Sequence, residues 1–184
     1  MNKRNVLRYV AALLAFFVLG CGAALVLRAY DARMDSPAPP DGGKTLDLSA
    51  FGFTLRVPDA FSLHDLTQDH LASGGDALFA GCAEGDGRAL FLYCYTNMQG
   101  DAISDYDEQE LVTYYTGAGC EDVRTRTLAG RRFICYSAQA QTEADGAFST
   151  WHAYETWDET LQLVFETQMS ASEVLPILAT LQFN

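Results

Sequence analysis

Residues 77–96 read Ala77-Leu-Phe-Ala-Gly-Cys-Ala83, then Glu84-Gly-Asp-Gly87, then Arg88-Ala-Leu-Phe-Leu-Tyr-Cys-Tyr-Thr96. Two apolar runs of strand length flank a turn in which glycines supply the positive φ that a tight hairpin needs. The signal recurs twice downstream. Val123 to Leu128 and Arg132 to Gln139 flank Ala129-Gly130, and Phe148 to Trp157 and Leu161 to Thr167 flank Asp158-Glu159-Thr160. In the last of these strands Leu161, Leu163 and Phe165 alternate with Gln162 and Glu166, as a half-buried strand should. An opening strand, Leu46 to Leu48 and Phe51 to Val57, is broken at Ser49-Ala50 and ended by Pro58-Asp59. The sheet predicted is mostly antiparallel.

One strand sets a further demand. Phe91, Tyr93 and Tyr95 share one face while Leu90, Leu92 and Cys94 occupy the other, so both faces must be covered, by helices on each side or by a partner on one. Trp151 and Trp157 share a face of their own strand, and Tyr114-Tyr115 fall on a helix. That helix opens at Asp105, three residues before Glu108, carries Leu111, Val112, Tyr114 and Tyr115, and ends at Gly117 or Gly119. A closing helix begins at Ser170, which forms a capping box with Glu173, or at Ser172, which brings Pro176 nearer the first turn. Its buried stripe is Val174, Leu175, Leu178 and Leu181. A weaker helix or turn covers Ser62 to Ala72. The fold class expected is α+β: three hairpins and an opening strand, packed by two to three helices, behind one N-terminal transmembrane helix.

That transmembrane helix is read from Val10 to Leu27, eighteen residues without a charge behind Lys3, Arg4 and Arg8. At 1.5 Å per residue the run spans about 27 Å, close to the hydrocarbon thickness of a bilayer. The basic flank puts residues 1–9 in the cytoplasm, residues 10–28 across the membrane as a signal anchor, and the rest outside the bacterial cell membrane. A lipoprotein reading competes, because Val18-Leu19-Gly20-Cys21 resembles a lipobox and would be lipidated at Cys21. A cleaved signal peptide, cut near Gly22-Ala23-Ala24, is the third reading. Leu25, Val26 and Leu27 prolong the apolar run and favour the anchor over both. Residues 29–44, with Pro37, Pro39, Pro40, Gly42 and Gly43, form a linker, and residues 45–184 suit one extracytoplasmic domain.

The chain carries a net charge of −12, and from residue 35 onward seven basic residues face twenty-three acidic ones. Such a field repels phosphate backbones and anionic headgroups, which argues against nucleic acid, and it draws cations or basic surfaces.

The opening Phe53-Thr-Leu-Arg-Val-Pro58 strand and the closing Ser172-Glu-Val-Leu-Pro-Ile-Leu178 helix followed by Leu181-Gln-Phe183 resemble the PsbP-like α/β/α sandwich, which includes small envelope lipoproteins. The likeness covers residues 50 to 184. It implies an accessory or binding role without catalysis, and it carries over no site residue.

Cys82, Cys94, Cys120 and Cys135 lie in the outer domain, where disulfides are permitted. Centring the first hairpin at Asp86 puts Leu90 opposite Cys82 and Leu78 opposite Cys94, so the two sulfurs stand roughly 13 Å apart along the ribbon. A bridge between hairpins, such as Cys94 with Cys135, and four buried free thiols both stay open. No cysteine pair has zinc spacing, and His64, His70 and His152 do not cluster with the thiols, so no metal or other cofactor is expected. The acids Asp101, Asp105, Asp107, Glu108 and Glu110 miss the EF-hand pattern and suit a helix N-terminus. Hydrolase, phosphate-loop and dinucleotide signatures are absent.

The function expected is therefore a non-catalytic, membrane-anchored domain that docks a protein partner. The alternative is a binding domain for a small cationic or glycan ligand, which needs a deep pocket lined by tyrosines, tryptophans and a few acids. A cysteine enzyme using His152 is a distant third. The anchor reading predicts that a Cys21→Ser variant still sediments with membranes after carbonate washing. Release of that variant into the soluble fraction would establish lipidation instead.

Overall fold

The computed structural model describes residues 42–141 and 147–184. Among them, two antiparallel sheets dominate. The small sheet has the order β1-β2-β10, from Lys44–Leu48, Phe53–Val57 and Gln182–Phe183. The large sheet has the order β3-β4-β5-β9-β8-β7-β6. Its strands are β3 Ser62–Asp65, β4 Phe79–Gly85, β5 Arg88–Thr96, β6 Glu121–Leu128, β7 Arg131–Gln141, β8 Phe148–Trp157 and β9 Leu161–Thr167. Three short helices accompany them: α1 Thr67–Ala72, α2 Glu108–Gly117 and α3 Ala171–Leu178.

The expected α+β class is therefore corrected to a mostly β fold. The helical signals were real but short, and Ser62–Asp65, read as helix or turn, pairs with β4 as an edge strand. A second sheet, made by β1, β2 and β10, does the covering that helices were expected to do on one face. Residues 10–28 and Cys21 lie outside the described residues, among which no helix is long and apolar enough to cross a membrane.

The first hairpin turns at Asp86-Gly87, both at positive φ (54° and 72°), as a two-residue type I′ connection demands. This places Cys82 opposite Phe91 and Phe79 opposite Cys94, one residue away from the register expected with Asp86 at the centre. Because side chains alternate with a period of two, Cys82 and Cys94 point to opposite faces of the sheet.

One face of the large sheet is sealed. Leu90, Leu92 and Cys94 of β5 align with Leu163 and Phe165 of β9, and these with Tyr154 of β8 and Phe133 of β7, all buried. Phe53 of the small sheet meets Phe165 edge-on at 6.1 Å between centroids, and Phe133 lies 6.4 Å from the same ring. Helix α3 closes this layer with Val174, Leu175, Ile177 and Leu178, all buried. It begins at Ser170, whose N–H donates to Glu173 Oε2 at 3.0 Å, so Pro176 falls inside the helix. An interior proline costs about 3 kcal/mol, whereas four buried aliphatic side chains contribute roughly 1.5–3 kcal/mol each, so packing overrides it.

Helix α2 is capped two residues later than Asp105, at Asp107. Asp107 Oδ1 accepts from the Glu110 N–H at 2.7 Å, and Glu110 Oε2 accepts from the Asp107 N–H at 3.0 Å. The helix packs Leu111 onto Ile134 of β7, with Tyr115, Tyr136 and Trp157 around them, on the second face of the large sheet. The ring of His70 from α1 lies 5.5 Å from Tyr93 on that face.

Truncating the ring shared by both layers should be costly. Phe165→Ala is expected to lose about 3–5 kcal/mol of unfolding free energy, while Phe148→Ala, at an exposed ring, stays within roughly 0.5 kcal/mol of the parent. Urea unfolding followed by circular dichroism measures both.

Candidate functional site

The second face of the large sheet is covered at its two ends and open between them. Strand alternation puts Tyr93 and Tyr95 of β5, Gln162 and Glu166 of β9, Glu155 and Trp157 of β8, and Tyr136 of β7 on this one surface. Helix α2 leans over it and leaves a cleft of about 950 Å³. Tyr95, Tyr106, Tyr114, Tyr115, Tyr136 and Trp157 supply aromatic walls. Tyr115 and Tyr136 stand 5.0 Å apart with their planes inclined by 36°, and Tyr106 meets Trp157 at 6.1 Å and 64°. Met98, 88% exposed, and Tyr114, 72% exposed, form an apolar rim.

Glu155 lies in this cleft and is only 6% exposed. Gln162 Nε2 donates to its Oε1 at 2.5 Å, the Tyr136 hydroxyl donates to its Oε2 at 3.4 Å, and Tyr115 also hydrogen-bonds the carboxyl. Burial pushes the Glu155 carboxyl above the usual carboxylate range, although these three donors pull the other way. Glu166, a diagonal neighbour across β8 and β9, is raised by burial and by the Glu155 charge. Burial lifts Tyr95 to about 12 and pushes Tyr115 and Tyr136 further up, and the Tyr115 and Tyr136 hydroxyls are donors to Glu155.

The mouth is held by a well-anchored turn. Asn97 Nδ2 donates to the carbonyls of Asp101 at 2.7 Å and Asp158 at 2.6 Å, tying the β5 end to the β8–β9 turn. Burial pushes the Asp158 carboxyl up, but the N–H groups of Thr160 and Leu161, the Thr160 hydroxyl and Arg131 together bring it to about 2. Arg131 reaches Asp158 at 3.1 Å and also lies over the Phe183 ring at 3.9 Å.

The thiols singled out from the sequence are placed apart. Cys82, Cys94 and Cys120 are free thiols. Cys94 and Cys135 share the sealed face but stand three strands apart, roughly 14 Å by strand spacing, beyond disulfide reach. Burial raises the thiols of Cys82, Cys94 (to about 11) and Cys120, the opposite of nucleophile activation. His64 stands opposite Cys82 across β3 and β4, yet its Nε2 lies 3.5 Å from Glu84. His152 Nδ1 pairs with the Ser137 hydroxyl at 3.0 Å. The acidic run is used in local structure: Asp107 and Glu110 cap α2, Asp105 accepts from the Ala102 N–H at 2.9 Å, and Tyr106 donates to Asp101. Among the described residues no three His, Cys, Asp or Glu side chains gather as metal ligands.

Glu155 and Gln162 were not singled out from the sequence. The signal was present: Trp151, Ala153, Glu155 and Trp157 share one parity in β8, and a carboxylate within an otherwise apolar, inward-facing row marks a polar group enclosed on purpose.

No family model and no curated protein matches the chain. A protein of solved structure from Bacteroides thetaiotaomicron is similar at TM-score 0.49 and 13% identity, over 77% of this chain and 48% of that one. The chain thus spans about half the length of that protein, and a likeness at this level carries no argument about fold or function.

A raised folded-state carboxyl binds more protons than its unfolded counterpart, so its effect on stability is unfavourable once pH exceeds the usual glutamate range near ~4.3. Wild-type stability should therefore fall relative to Glu155→Gln as pH rises from about 4 through the raised folded value. Urea unfolding of both forms across pH 4–8 checks this, and parallel profiles would remove Glu155 as the cause.

Proposed function

We propose that the outer domain is a non-catalytic binding domain for a small molecule, held outside the bacterial membrane by residues 10–28 and the linker behind them. The observation that carries this reading is the 950 Å³ cleft with six aromatic walls and a buried hydrogen-bonded carboxyl. Small-molecule sites combine apolar walls with a few fixed polar groups, and the cleft has that composition. Aromatic rings gathered around a buried carboxyl favour a ligand over a docked protein, so the small-ligand reading ranks first.

Docking of an envelope protein is the second reading. The exposed apolar rim of Met98 and Tyr114 favours it, because such side chains stay exposed at some cost unless covered. Photo-cross-linking from position 98 in native membranes would return one dominant protein if that reading holds.

The cleft itself is tested by filling it. Ala118 lines the wall at the end of α2, and Ala118→Trp should occlude the cavity while leaving the sealed layer intact. A ligand at a hundred times its Kd stabilises by about 2.7 kcal/mol, which is roughly 5–10 °C in Tm for a protein of this size. A panel of neutral, cationic and anionic small molecules is expected to contain at least one that gives such a shift with wild type and none with Ala118→Trp. Equal shifts in both proteins would place binding elsewhere.

A further inference from the structure

We infer that the cleft selects an organic ammonium ion, holding its cationic head against Glu155 and the surrounding aromatic faces. This deepens the small-molecule reading and rests on it.

Three observations converge on that class. The first is an uncompensated charge position. Glu155 is almost wholly removed from water, and its hydrogen-bond partners, Tyr115, Tyr136 and Gln162, are all neutral. Among the described residues lining the cleft there is no lysine, arginine or histidine, whereas Asp76 and Glu110 add two further acids. Arg132, on the same face of β7, donates to the carbonyl of Tyr106 at 2.7 Å, and no cation is among the groups that act on the Glu155 carboxyl. A buried carboxylate without a positive partner is unfavourable, and a ligand that brings the positive charge with it removes that penalty.

The second observation is the wall chemistry. Tyrosine and tryptophan rings present negative faces, which attract a cation centred within about 6 Å. Tyr115 and Tyr136 meet at an incline on one side and Tyr106 and Trp157 on another, so the rings form corners around the cavity. A neutral sugar would stack on such rings but would leave Glu155 without a counter-charge.

The third is the donor count. A hard metal ion such as calcium takes six to eight oxygens, and no cluster of three ligating side chains exists among the described residues. The charge to be accommodated is therefore that of an organic cation and not of a hard metal ion. The surplus of acids over the whole chain raises the local concentration of such ions near the mouth.

The experiment is calorimetric titration of the full-length protein in lipid nanodiscs, at constant ionic strength, with choline and n-butylammonium. The neutral carbon isostere of choline, 3,3-dimethylbutan-1-ol, runs beside them. At least one of the two cations should bind, the isostere at least tenfold more weakly than choline, and Glu155→Gln should weaken cation binding at least tenfold with no fall in Tm. Tyr136→Phe, which keeps the ring and removes one carboxyl donor, should retain most of the affinity. Equal binding of choline and its isostere, insensitive to Glu155→Gln, would overturn the cation assignment. It would leave the cleft as a site for neutral ligands. Failure of both cations while a neutral or anionic compound gives a Tm shift lost in Ala118→Trp would overturn it in the same way. Failure of both cations with no compound sensitive to Ala118→Trp would overturn the cleft reading as well.

Discussion

A strand that is apolar on both faces cannot be left half wet, and β5 imposes that constraint on everything around it. Leu90, Leu92 and Cys94 demand one covering layer, Phe91, Tyr93 and Tyr95 another. The first demand is met completely: the small sheet and α3 enclose Phe53, Phe133 and Phe165 in one continuous core. The second is met only in part. Helices α1 and α2 are too short to span seven strands, so they cover the ends of the face and leave the aromatic cleft between them.

This division separates what holds the molecule together from what it offers to solvent. The sealed layer is dominated by buried aliphatic and phenyl groups, with Cys94 and Tyr154 among them. The open layer is made of tyrosines, tryptophans and acids, which keep a polar function at the end of an apolar body. Glu155 sits where the two demands conflict. Its strand position points it inward, and its chemistry asks for water or a counter-charge. Three neutral donors satisfy its oxygens as hydrogen-bond acceptors but leave its charge uncompensated.

Much of the strand pattern was legible in the sequence. The β8–β9 hairpin has the bounds that its alternation and its Asp158-Glu159-Thr160 turn indicate, and the parity of β5 correctly divides its side chains between two faces. What failed was local arithmetic and long-range pairing. Either Asp86 or the Asp86-Gly87 pair could centre the first turn, and only the backbone at positive φ selects the pair and so the register of Cys82 and Cys94. The edge strand Ser62–Asp65 has no clear alternation of its own, and it is a strand because β4 offers it a partner. The return of β10 to β2 depends on residues separated by more than a hundred positions, which no local window reads. The aromatic side chains of the cleft were visible as types. Their convergence was not, because it requires the order β5-β9-β8-β7, in which strands distant in sequence lie side by side.

The buried Glu155 carboxyl governs this face, and its titration is the direct test. Carbon-13 NMR of the glutamate side-chain carboxyls, with the Glu155 resonance assigned by its loss in Glu155→Gln, follows its midpoint as pH is raised. A midpoint well above the ~4.3 of an ordinary glutamate is the predicted result. A midpoint at or below that value would mean that the carboxylate is already compensated in the free protein and that Glu155 leaves no charge for a ligand to meet.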